Sequence, residues 1–181
     1  NGYFDFNNTG NGKDCIIVGA NSGVNAVELR KNWSLEIWVN FDNIGTTSRG
    51  LFGHGVDNAS YQGLYILIFY QNSYHKLRFG TWGTGQSLDY QFTNGISTGT
   101  WHHFVFTYVH STGYKKMYWN GALIAQADQS PYQGSTAGTD SHLAIGKIYN
   151  PALSSSQTSS SSINKATLDG KVSVVRMYTK V

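Results

Sequence analysis

The sequence contains one cysteine, two prolines and two glutamates in 181 residues. A lone cysteine, Cys15, excludes an intrachain disulfide and reads as a small core residue rather than a reactive thiol. Charge is also scarce. Charged residues make up 13% of the chain, about half the usual quarter. The net charge of +3 comes without any basic run longer than two, at Arg30-Lys31 and Lys115-Lys116. Nucleic-acid binders concentrate their basic residues, so no nucleic-acid partner is expected. The longest strongly apolar run, YILIFY at 65–70, is far too short to cross a bilayer, and no membrane insertion is expected. No secretory leader is visible and the chain begins at Asn1, as a processed secreted protein or a trimmed piece would.

Gly, Ser, Thr, Asn and Tyr are abundant instead, and apolar residues recur with period two. WSLEIWVNF (33–41) sets Trp33, Leu35, Ile37, Val39 and Phe41 on one face, against Ser34, Glu36, Trp38 and Asn40. RGLFGHG (49–55), GLYILIFYQ (63–71), HKLRFGTW (75–82), LDYQF (88–92), HLAIGKI (142–148) and GKVSVVRMYTKV (170–181) also read as strands, the second of these apolar on both faces and therefore central. In KKMYWNGALIAQ (115–126), two runs flank Asn120-Gly121, the pair preferred where both turn positions need positive φ. Only NAVELRKN (25–32) has room for a helical turn or two. The pattern predicts an all-β, antiparallel two-sheet sandwich or barrel. It is read as one domain over 1–181, with a Ser-rich loop at 153–164 before the last strand. That loop cannot bury apolar surface and reads as a mobile segment or a glycan carrier.

Several pieces together resemble the laminin-G-like, concanavalin-A-like jelly-roll family, which includes the pentraxins. YFDFNNTGNGKDCIIVG (3–19) resembles its opening strand pair, and WSLEIWVNF and RGLFGHG resemble the core strands that follow. GTWHHFVFTY (99–108) with KKMYWNGALIA is similar to its Trp-His-His and Asn-Gly hairpin, and HLAIGK and LDGKVSVVRMY to its last strands. The resemblance implies a jelly-roll sandwich that recognises glycans or proteins more often than it catalyses.

On a regular strand His102 and His103 point to opposite faces and cannot chelate one metal. His102 is expected at the core edge, bonded to a loop, and no histidine–carboxylate grouping is apparent nearby. Glycosidases need two carboxylates flanking the scissile bond, whereas this strand carries only Glu36, with Glu28 outside it. Calcium is the one cofactor considered. The family resemblance implies Asp57 and Asn58 as ligands, with Asp140 as a further one. Calcium takes six to eight oxygens, and the acids that pentraxins add after the strand matching HLAIGK are absent here. The alternative for these residues is a turn.

Trp82, Tyr132, Trp38 and Tyr61 are the candidate sugar-stacking rings, with Tyr65, Tyr74 and Tyr90 as further aromatics off the inferred core faces or in loops. Asn7, Asn32 and Asn58 lie in glycosylation sequons, but fifteen asparagines and 34 Ser/Thr yield about three by chance. The expected function is a non-catalytic, extracellular or cell- or virion-surface recognition module for glycans or proteins. The alternative is a structural subunit that self-assembles into a homo-oligomer or filament through sheet edges. A glycoside hydrolase is the third and weakest reading.

Overall fold

The computed structural model describes residues 2–7, 14–18, 30–55, 63–81, 86–132, 142–148 and 167–181. No helix occurs among them. Twelve strands form two six-stranded antiparallel sheets. One sheet, here the β3 sheet, runs in the order β1 (Phe4–Phe6), β12 (Gly170–Tyr178), β3 (Trp33–Phe41), β8 (Trp101–Val109), β9 (Tyr114–Trp119), β10 (Ala122–Ala127). The other, the β5 sheet, runs β2 (Ile16–Val18), β11 (His142–Ile145), β4 (Arg49–Gly55), β5 (Gly63–Gln71), β6 (Tyr74–Thr81), β7 (Gln86–Gln91). This is the expected jelly-roll sandwich. One detail is corrected: β1 and β2 do not pair with each other. They sit in different sheets, on β12 and β11 respectively.

Alternation along β3 explains the packing. Trp33, Leu35, Ile37, Val39 and Phe41 are all buried and face Leu64, Ile66, Ile68, Leu77 and Phe79 of the other sheet in one core. Each such side chain contributes roughly 1.5–3 kcal/mol by leaving water. Trp33 bridges the layers, with ring contacts at 5.4 Å to Phe79 and 5.5 Å to Tyr108. β5 is central, as its two apolar faces predict. Its outer residues Tyr65 and Leu67 are covered by Ile148. Gly53 on neighbouring β4 permits this, because the Ile148 backbone occupies the space a Cβ would need. The β9–β10 hairpin turns on Asn120 (φ 48°) and Gly121 (φ 83°), as the sequence predicts.

Candidate ligand-binding site

The same alternation that fills the core leaves Ser34, Glu36 and Trp38 on the outer face of β3. Cross-strand register decides what stands beside them. Trp38 pairs with His103 of β8 and with Val174 of β12, Glu36 with Arg176, and Asn40 with both Trp101 and Lys171. The edge strand β1 adds Asp5 opposite Lys171. The result is an open groove of about 730 Å³, lined by Tyr3, Trp38, Trp101, Lys171, Ser173 and the backbone-rich Gly2–Val174 wall. That size is in the range of small-ligand sites. Trp38 and Trp101 are each more than a third exposed and Tyr3 about half, so three aromatic rings meet solvent around one depression. Tyr3 and Trp101 touch edge to face at 6.3 Å.

Trp38 is held from behind. His103 stacks on its ring at 4.6 Å with planes 21° apart. The Trp38 Nε1–H donates to Glu36 Oε1 at 3.3 Å, and His103 Nε2 bonds the same oxygen at 3.2 Å. Arg176 Nη1 donates to Glu36 Oε2 at 3.2 Å. Partial burial raises the Glu36 carboxyl, but the Arg176 and Trp38 hydrogen bonds and the nearby Arg176 and His103 charges outweigh it. The group is left below the ordinary carboxylate value. Glu36 is thus an ionised anchor for the indole. A histidine–carboxylate grouping therefore does exist, contrary to the expectation from sequence. It spans 67 positions and becomes visible only through the β3–β8 register.

The groove rim is polar. Lys171 Nζ donates to both carboxylate oxygens of Asp42 at 2.7 Å. The Ser173 hydroxyl donates to the Gly2 carbonyl at 3.2 Å, tying β1 to β12. Asn40, 9% exposed, lies between Lys171 and Trp101, with its Oδ1 buried and without a hydrogen-bond partner. An aromatic platform rimmed by hydroxyl and ammonium groups suits a ring-shaped, hydroxylated ligand, through stacking and hydrogen bonds.

The family described as the concanavalin A-like lectin/glucanases superfamily matches residues 18–181. The chain belongs to that superfamily. No curated protein matches the sequence. Among solved structures, the chain is similar to the heptameric SAP-like pentraxin of Limulus polyphemus (11% identity, 98% of this chain and 76% of that one, TM-score 0.67). It is also similar to the Ruminococcus gnavus IT-sialidase CBM40 bound to α2,3-sialyllactose (14% identity, 93% and 91%, TM-score 0.62). A third is the mouse laminin α1 chain, domains LG4-5 (11% identity, 93% and 40%, TM-score 0.57), of which this chain spans well under half. At these identities the likeness establishes the fold alone.

In this concanavalin A-like domain His102 and the Asn-Gly turn are scaffold, whereas Trp101 and His103 serve the groove. His102, 3% exposed, accepts from Trp119 Nε1–H at its Nδ1 (3.1 Å) and donates from Nε2 to the Ser97 carbonyl (2.9 Å). Both ring nitrogens of the neutral form are thereby used. Burial pulls its pKa down, only partly offset by the Ser97 bond. Asn120 exchanges hydrogen bonds with the His103 backbone, its N–H donating to the carbonyl at 2.8 Å and its Oδ1 accepting from the N–H at 2.9 Å. The two halves of the signature are therefore locked together.

The other expected site residues divide sharply. Trp38 is in the groove. Tyr132 is corrected: at 1% exposure it is a core residue, its N–H donating to the Tyr108 hydroxyl at 2.8 Å, and no ring face is free for a sugar. Tyr65 is buried too, and Tyr90 packs edge-on against Phe92 at the core margin. Tyr74 is exposed, at the β5–β6 turn and away from the groove residues. Trp82, Tyr61, Asp57, Asn58 and Asp140 lie outside the described residues. Among the described residues no group of three or more His, Cys, Asp or Glu is placed to hold a metal. Of the sequon asparagines, Asn7 and Asn32 are exposed, and Asn58 lies outside the described residues. Tyr3, Trp101, Lys171 and Ser173 carry no site signal in the sequence, where Trp101 stands only within the Trp-His-His motif.

Proposed function

We propose that this chain is a non-catalytic carbohydrate-recognition module, working outside the cell or at its surface, and that the Trp38–Trp101–Tyr3 groove is where the sugar sits. The observation that carries the reading is the Trp38 indole. One face is stacked on His103 and its N–H is tethered to Glu36, so the ring is fixed in place at the mouth of a groove. A hydrophobic ring in a rigid pose loses little freedom when a pyranose lies against it. The fold neighbours lend support: the Ruminococcus gnavus CBM40 carries α2,3-sialyllactose. A glycosidase acid needs a raised pKa, so the downward shift of Glu36 speaks against it as the proton donor. Asp57, Asn58 and Asp140 would be the residues that hold a calcium ion, as the family resemblance implies.

The test is a glycan array run with and without chelator, on wild type, Trp38→Ala and Trp101→Ala. Binding by wild type is expected, weakened about tenfold by either substitution, since a lost ring contact of about 1.4 kcal/mol is one decade. Silence of the wild type on the array, or full binding by both variants, refutes the assignment.

A further inference from the structure

Resting on the reading of this groove as a glycan site, we propose that it selects neutral saccharides and discriminates against carboxylated or sulfated ones. The charges nearest the groove are already paired. The two cations beside it, Lys171 and Arg176, each face a carboxylate: Lys171 is bonded by both oxygens of Asp42, and Arg176 by Glu36. Asp5 stands opposite Lys171 as a third carboxylate. Two cations thus face three carboxylates, and neither cation is left over for an anionic ligand. An acidic sugar would have to displace Asp42 or Glu36, or sit against them unpaired. Displacing Glu36 would also release the Trp38 indole that the site depends on.

Of the groove-lining side chains only Lys171 carries a charge, and both oxygens of Asp42 already hold it. The remaining lining is two indoles, a phenol and a hydroxyl, which suit the C–H face and hydroxyl edge of an uncharged pyranose. The selectivity proposed differs from what the CBM40 neighbour carries, and follows from this chain's own charges.

The experiment is an array of matched pairs: neutral oligosaccharides printed beside their sialylated, uronic-acid or sulfated counterparts, with affinities then measured by calorimetry for the best pair. The neutral member is expected to bind at least about fivefold tighter, the scale of one exposed charge pair. Its affinity is expected to change less than about twofold when salt is raised past the point where exposed charges are screened. Asp42→Asn, an exposed change that releases Lys171, is expected to raise binding of the acidic member by about threefold or more. Equal or tighter binding of the acidic member by wild type overturns the selectivity while leaving the glycan site standing. A steep fall of neutral binding with salt, or no gain in Asp42→Asn, also overturns it. Absence of binding to every pair overturns the glycan reading itself, and the selectivity with it.

Discussion

Lys115 should be replaceable by methionine with a gain in stability. It lies on the inner face of β9, 1% exposed, in a position where the core expects an apolar residue. Its ammonium donates to Thr81 Oγ1 at 3.3 Å and Gln129 Oε1 at 2.8 Å and stands 5.1 Å from the Phe79 ring centre. Burial pulls its pKa from 10.5 down to about 8. That shift corresponds to about 3 kcal/mol of penalty on the charged form. Lys115→Met removes the penalty but takes a donor from Thr81 and Gln129, at about 1 kcal/mol each. The expected net at pH 7 is a gain of roughly 1 kcal/mol, or about 2–4 °C in melting temperature for a chain of this size.

The pH dependence sharpens the test. Below about pH 8 Lys115 is charged in both folded and unfolded chains, and the full penalty applies. Between about 8 and 10.5 the folded chain releases the proton first, so the unfolded state binds more protons and wild-type stability rises with pH relative to the variant. The gap between Lys115→Met and wild type, measured by urea unfolding, is therefore expected to narrow from pH 8 to pH 10. A variant less stable than wild type at pH 7 by more than about 1 kcal/mol, or parallel pH slopes for the two proteins, would refute the reasoning.

Two other outcomes test the scaffold. Because burial lowers the His102 pKa below 6.5, its contribution to stability is present above the unfolded value and lost as pH falls. Protonating Nδ1 would also set two N–H groups, His102 and Trp119, against each other. Thermal melts from pH 7 to pH 5 should show this loss in wild type, and His102→Ala should cost about 2–4 kcal/mol at pH 7 and flatten the profile. Asn120→Ala removes both a residue suited to positive φ and the acceptor for the His103 N–H, and should cost about 1–2 kcal/mol by chemical denaturation. Asn120→Gly, which keeps the turn conformation, should cost less.

What the sequence shows and what it conceals follow from the range of the interactions. The bounds of β3, β4 and β5 coincide with the period-two segments, and the Asn120-Gly121 turn is where its two residues require it. These depend on neighbours in the chain. The groove does not: Trp38, Trp101 and Lys171 come from three strands and Tyr3 from just before a fourth, and only the pairing of β1, β12, β3 and β8 brings them together. Trp38 was identifiable as a large aromatic on the solvent side of an amphipathic strand. Tyr132 looked similar in a turn-like setting, yet its segment folds back under Tyr108 into the core. A signal for Lys115 was present in the alternation Lys115, Met117, Trp119, which puts an ammonium in line with two core side chains.

The wall of the groove that carries Tyr3 is its least anchored part. β1 has three residues, pairs among the described residues with β12 alone, and is held by the Ser173–Gly2 bond and by Phe6, which is buried in the core. Lifting it exposes the Phe6 ring, yet local opening at a sheet edge has a smaller free energy than global unfolding. Occupancy of the groove and docking of β1 are then thermodynamically linked. A ligand that touches Tyr3 is therefore expected to slow amide exchange in residues 4–6.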